Sequence, residues 1–207
     1  NIRIENGFYV FDVKTPTEVV RSVKFGLPGH HNLTNALLAF AMAKSYGVSN
    51  EKIIAALASF KGVRRRFSFQ IREEKLVYID DYAHHPTEIN AVHQAVRELY
   101  PGKKIIAAFQ PHLFSRTKDF VDGFAESLSQ FDEILLLEIY PARELPMEGV
   151  NSTWLLNKIN NPYKKLVSKD ELFTAFENSD ADVFVTIGAG DIGELVKDLK
   201  KALHEKN

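Results

Sequence analysis

Four short stretches concentrate the side chains able to do chemistry: "DDYAHHP" at 80–86, "QPHLFSRT" at 110–117, "YPARELP" at 140–146 and "GAGD" at 188–191. His84, His112, Arg116 and Arg143 suit an anionic or carboxylate-bearing ligand, because a guanidinium fork matches a carboxylate with two parallel hydrogen bonds. Each stretch also has a plainer use. His84 and His85 beside Asp80 and Asp81 offer metal-binding atoms, yet adjacent residues point in different directions and no third ligand stands at a recognisable spacing. Asp80 can simply end a strand, and one of the two histidines before Pro86 can simply cap a helix. "GAGD" lacks the full dinucleotide fingerprint and follows the last strand instead of the first. The arginine run at 64–66 reads as a solvated hinge. Asn32 and Asn35, three apart on one face of a helix's first turn, read as capping residues before they read as ligands.

The elements that carry these stretches follow from periodicity. "FYVFDV" (8–13) and "EVVRSVKF" (18–25) read as strands around Pro16, and the chain reads as starting inside a domain. At "HHNLTNALLAFAMAKSYG" the period becomes helical: Leu33, Leu37, Phe40, Ala41 and Lys44 recur at helical spacing and Gly47 makes a natural stop. A second helix is expected at about 50–59, with Ser49 or Asn50 as its cap. "KGVRRRF" then suggests a hinge near 62–65. Beyond it, strands near 75–80, 104–109, 133–139 and 182–187 alternate with helices at 86–99, after 117 (with Phe120, Val121, Phe124 and Leu128), and at about 152–159, 170–177 and 191–203. Strands so uniformly apolar are covered on both faces, which predicts an α/β, Rossmann-like domain with a mainly parallel sheet and flanking helices. In such a sheet the carboxyl ends of the strands share one edge, so the four loaded loops are expected to converge there.

Composition limits the function. At 207 residues, with 45% hydrophobic and 26% charged residues, the chain reads as a soluble globular protein. A formal charge of −1 gives no electrostatic case for nucleic acid or an anionic membrane. No apolar run approaches the roughly 20 residues that cross a bilayer, so no membrane insertion is expected. The lack of cysteine removes disulfides, thiolate zinc sites and a cysteine nucleophile. The cytoplasm is the simplest compartment for such a chain.

The set "GHHNLTNALLAFAMA", "FKGVRRRF", "IDDYAHHPTEI", "FQPHLFSRT", "EIYPAREL" and "GAGDI", in this order from end to end, closely resembles the Mur ligases. That resemblance implies ATP-dependent amide formation through an acyl phosphate in peptidoglycan synthesis, with ATP, Mg²⁺, UDP-N-acetylmuramate and L-alanine as the molecules handled. It implies that residues 1–64 form the C-terminal part of a central ATP-binding domain and that 65–207 form a C-terminal Rossmann-like domain that binds the amino acid. Asn32 and Asn35 would contact the adenine side of ATP, Arg66 its phosphates and Asp81 its ribose. The acceptor would lie near Tyr82, His84, His112 and Arg116, with Arg116 on its carboxylate.

Arg66 and His84 are the candidate catalytic residues, although His112 is also placed to take the amine's proton. Some relatives carry a second arginine where this chain has Leu113, and Arg143 is a candidate replacement. The glycine-rich phosphate loop with its lysine and Ser/Thr occurs nowhere in the 207 residues, nor do the family's Mg²⁺ ligands. The chain alone is therefore expected to be inactive. Three other readings are a recycling ligase that attaches an intact peptide, against which "FQPHLFSRT" speaks, a non-catalytic nucleotide- or ligand-binding module, and a metal-dependent hydrolase.

Overall fold

The computed structural model describes residues 1–5 and 8–206; Asn207, within the expected C-terminal domain, lies outside them. The packing divides the chain into two units, residues 1–63 with 94–101, and residues 64–93 with 102–207.

The first unit contains an antiparallel sheet in the order β1 (Ile2–Glu5), β2 (Phe8–Lys14), β3 (Val19–Phe25). Alternation sends Tyr9, Phe11 and Val13 of β2 to one face, where they meet Leu33, Ala36 and Phe40 of α1 (His30–Ser45) and Ile53 and Leu57 of α2 (Asn50–Ser59). The buried face of α1 therefore runs through Ala36. Leu37, expected inside from its spacing, is 47% exposed. Gly47, at φ 79, stops α1 as expected: its amide donates to the Lys44 carbonyl, and the Val48 amide to Ala43. Ser49 stands at the N-cap position of α2. The Tyr9 hydroxyl accepts the Gly29 amide at 3.0 Å and donates to Glu98, which joins residues 94–101 to this unit.

The second unit is built on a six-stranded sheet in the order β4 (Ser68–Arg72), β5 (Val77–Asp81), β9 (Val183–Ile187), β6 (Ile105–Phe109), β7 (Glu133–Leu136), β8 (Lys164–Leu166). All neighbours are parallel except β4, which runs antiparallel to β5. β5, β6 and β9 are buried along their whole length, as their largely apolar sequences require, and this burial takes in Asp80 and Asp81 at the end of β5 and Thr186 in β9. One face packs Tyr78, Ile106, Leu135 and Phe184 on α7 (Lys169–Asn178) and α8 (Ile192–Lys206) through Leu172, Phe176, Val196 and Leu199. On the other face Phe109 meets Phe124 of α5 (Val121–Leu128) at 5.5 Å between ring centroids. The remaining helices are α3 (Pro86–Leu99), α4 (Phe114–Asp119) and α6 (Ser152–Lys158).

The single helix expected after "QPHLFSRT" is broken at Phe120 into α4 and α5. Phe120 is 42% exposed, and its ring packs edge-on against His85 at 4.6 Å instead of entering the core. The chain passes from β5 to β6 across the place later filled by β9, so the strand order reverses there. A ligand crevice is expected beyond the strand ends at such a reversal.

Candidate functional site

At the carboxyl edge of the second unit the four loops are tied to one another through their backbones. The Gly188 amide donates to the Asp81 carbonyl at 3.1 Å, Gln110 to Ile187 at 3.0 Å, Tyr140 to Pro111 at 2.8 Å and Leu113 to Tyr140 at 3.0 Å. Side chains complete the floor. Gln110, 4% exposed, donates through its side-chain amide to Asp191 at 2.7 Å and accepts the Ile192 amide at 2.9 Å. The two glycines of "GAGD" are needed for closeness: a Cβ on Gly188, at φ 146, would stand 2.7 Å from the Gln110 carbonyl oxygen, and one on Gly190 would stand 2.3 Å from Gln110 Oε1. This turn packs loops together, and nothing in its geometry requires a nucleotide.

Above the floor, aromatic rings form a wall across three strand ends. Tyr82 meets His84 edge-on at 5.5 Å, His84 lies 6.3 Å from His112, and His112 stacks on Tyr140 at 5.7 Å. Arg116 lies one helical turn beyond His112, with Nη1 3.4 Å from the imidazole Nδ1. The structure thus brings Tyr82, His84, His112 and Arg116 together.

Their proton positions follow from their partners. Arginine only donates, so His112 Nδ1 is the accepting nitrogen and its neutral ring carries the proton on Nε2. The backbone carbonyl of Tyr82 only accepts, so His84 donates to it through Nδ1 at 2.9 Å and the neutral ring's free lone pair is on Nε2. Burial, then the charges of Arg116 and His84, push the His112 pKa below the ordinary histidine value, against an opposing pull from Glu144. The lowered pKa favours the neutral form of His112 at pH 7, and Arg116 is the permanent positive charge of the wall.

The aspartate pair divides into a strut and a buried acceptor. Asp80, 1% exposed, accepts Arg65 Nε at 3.2 Å and the Thr186 hydroxyl at 2.9 Å, and burial raises its pKa in spite of Arg65. Asp81 accepts the amides of Phe67 at 2.6 Å and Ala83 at 2.7 Å, while burial, outweighing those bonds, lifts its pKa to about 6. His85 is structural too: its Nδ1 accepts the Thr87 amide at the start of α3.

The arginine run is not uniformly solvated. Arg64 and Arg66 are exposed, but Arg65 turns inward, donating to the Gly188 carbonyl at 2.6 Å, pairing with Asp80 and lying 4.9 Å over the Tyr82 ring. Arg65 and Phe67 both take left-handed backbone angles, φ 58 and 45, which set Arg66 outward between two fixed neighbours. Three identical residues in a row give no sign of which one is buried, so Arg65 does not stand out in the sequence.

Glu144 does not stand out either. It accepts the Ser115 amide at 2.9 Å and the Ser115 hydroxyl, whereas its neighbour Arg143 is exposed. Asn32 and Asn35 belong to the first unit, on the opening turns of α1; the Asn32 side-chain amide donates to the Pro28 carbonyl at 2.7 Å and Asn35 is exposed. Among the described residues no group of three or more His, Cys, Asp or Glu could hold a metal ion, and no helix is long and apolar enough to cross a membrane.

Residues 65–204 match the family described as Mur ligase, glutamate ligase domain. UDP-N-acetylmuramate–L-alanine ligase of Flavobacterium psychrophilum is 73% identical over 206 residues, which is 100% of this chain and 46% of that protein. The chain thus spans about half the length of the curated relatives it matches. Among solved structures, UDP-N-acetylmuramate-alanine ligase from Thermotoga maritima superposes with a TM-score of 0.75 at 26% identity, over 97% of this chain and 43% of that one. A murein peptide ligase from Psychrobacter arcticus shares the fold at a TM-score of 0.62 and 23% identity, over 98% and 43% of the respective chains. By the match over 65–204 and this identity along its whole length, the chain belongs to the Mur ligase family.

Proposed function

We propose that the chain is the C-terminal part of an ATP-dependent ligase that joins L-alanine to UDP-N-acetylmuramate through an acyl phosphate, in the cytoplasmic stage of peptidoglycan synthesis. Residues 1–64 supply part of its ATP-binding domain and residues 65–207 its amino-acid-binding domain. The observation that carries this reading is the wall of Tyr82, His84, His112 and Tyr140 with Arg116 as its positive charge, in a chain so similar to a relative of that name.

An L-alanine side chain is a single methyl group, so its carboxylate must supply most of the recognition. Arg116 can hold that carboxylate with two parallel bonds. Neutral His112 adds no competing charge and offers its Nε2–H as a donor. The ammonium must lose a proton before its nitrogen attacks the acyl phosphate, and His84 Nε2 is the lone pair turned to that task. Negative charge builds on the phosphate and on the tetrahedral adduct during the reaction, and exposed Arg66 is suited to meet it. Asn32 and Asn35 serve the adenine side of ATP. Asp81 serves the ribose with the lone pairs left over from its two backbone bonds. The ligands of the Mg²⁺ that accompanies ATP would lie mostly in the N-terminal part of the full-length protein.

The test uses full-length protein. ADP release should require ATP, UDP-N-acetylmuramate and L-alanine together, and the 207 residues alone should release none. ADP release indifferent to L-alanine, or supported only by an intact peptide, would overturn the reading.

A further inference from the structure

We propose that Glu144 is a positioning residue, which caps α4 from the loop after β7 and so holds Arg116 in place for the acceptor's carboxylate. The proposal rests on the reading of Arg116 given above. Helix α4 begins abruptly. Its N-cap residue, Leu113, sits in the left-handed region at φ 73 and offers no side-chain cap, so the first amides of the helix need partners from elsewhere.

Glu144 provides them. One carboxylate oxygen accepts the Ser115 amide at 2.9 Å and the other accepts the Ser115 hydroxyl. These bonds, with a further one from the Phe114 backbone, hold the carboxyl of Glu144 below the usual glutamate range, so it stays charged at pH 7. The Leu113 amide is meanwhile bound to the Tyr140 carbonyl, and His112 pairs with Tyr140 as a parallel bridge.

The left-handed turn at Leu113 is thus fixed from both sides by residues of the same loop, 140–144. Arg116 follows Ser115 directly, and its guanidinium reaches back to His112 across that turn. A shift of the Ser115 amide therefore moves the guanidinium relative to the ring wall. Glu144 also faces His112 electrostatically, against Arg116 and His84, which gives its removal a second signature.

The experiment compares Glu144→Ala, Glu144→Gln and Arg116→Lys in the full-length enzyme. Each is assayed for KM of L-alanine and of ATP, and the His112 titration is followed by NMR of labelled histidine. Glu144→Ala should raise the L-alanine KM about tenfold, the usual worth of bonds to a charged group, and leave the ATP KM within about twofold. Glu144→Gln, whose amide oxygen still accepts one bond, should give a smaller rise.

The His112 pKa should fall further in both Glu144 variants. A merely structural staple would lower the melting temperature and move both substrates together, and that result overturns the proposal. An unchanged L-alanine KM in Glu144→Ala, or in Glu144→Gln if the alanine variant fails to fold, overturns it when Arg116→Lys does raise that KM. An Arg116→Lys enzyme with normal L-alanine use shows that the acceptor reading itself has failed, and the role of Glu144 falls with it.

Discussion

The two edges of the six-stranded sheet are built from the same strands and held by different physics. At the amino edge the turns are pinned by exposed pairs. Lys103 meets Asp182 at 2.8 Å, Lys104 meets Asp180, and Asp182 accepts the Lys104 amide at 3.0 Å. A groove of about 420 Å³ opens there, lined by residues such as Glu133, Tyr163, Lys164 and Asn178, but histidine and arginine are not among its walls. At the carboxyl edge one ion pair is largely buried and the backbone is forced. Asp80 and Arg65 pair beneath the surface, and Arg65, Phe67, Leu113 and Ala142 all take left-handed angles. Such conformations persist only where the surroundings over-determine them, and they collect at sites that must hold a geometry. The comparison teaches where to look for chemistry in a doubly wound sheet: at the edge where polar groups are buried and tied together, and not simply where a groove opens.

Three experiments sharpen that contrast. The largest effect is expected from Arg65→Ala, which leaves buried Asp80 without its cation and with only the Thr186 hydroxyl bond. Losing one partner of a buried pair costs about 3–5 kcal/mol, read as a fall in unfolding free energy. Arg65→Gly should be less harmful by about 1 kcal/mol, because glycine accepts the positive φ freely. Next comes the pH dependence of stability.

The Asp81 carboxyl titrates near 6 in the folded chain against an ordinary value of 3.8, so the folded state binds the proton more tightly. Its contribution is complete below about 3.8 and is lost as pH rises through 6. Roughly 3 kcal/mol is at stake over that interval. Urea unfolding at pH 4.5 and 7 should show the slope in the native chain and a flatter one in Asp81→Asn. The smallest effect belongs to the amino edge: Lys103→Ala should change stability by less than about 1 kcal/mol, as exposed pairs do, and leave catalysis unchanged. A large loss there would erase the contrast.

Much of the scaffold was legible in the sequence because buried parallel strands are apolar on both faces. β5, β6 and β9 therefore announce themselves without ambiguity. β4 and β8 do not: "SFQIR" is half polar and "KKL" is three residues long, as suits the two edges of a sheet. The convergence of the loops followed from topology alone, and with it the meeting of His84, His112 and Arg116; Tyr82 joined that set only through the resemblance to the family.

What stayed hidden was the direction of side chains in irregular backbone. Nothing in "RRR" marks the middle arginine as the one that turns inward, since that depends on a left-handed φ at Arg65 and on the space beside Gly193. Nothing in "YPARE" distinguishes exposed Arg143 from Glu144, whose partner lies 29 residues away. The helix after "QPHLFSRT" looked continuous because Phe120 has the right spacing for a core stripe; only the ring of His85 explains why it turns out of it.

The central claim is that the carboxyl edge grips an amino acid by its carboxylate through Arg116. Steady-state kinetics of full-length Arg116→Lys, with L-alanine and ATP varied in turn and a melting curve beside them, test it most directly. Lysine keeps the charge and loses the fork, and the loss of one charge-assisted bond, about 1.5–3 kcal/mol, corresponds to roughly a ten- to hundredfold higher L-alanine requirement. The account predicts that rise with ATP use and melting temperature unchanged; equal changes for both substrates, or no change in either, would contradict it.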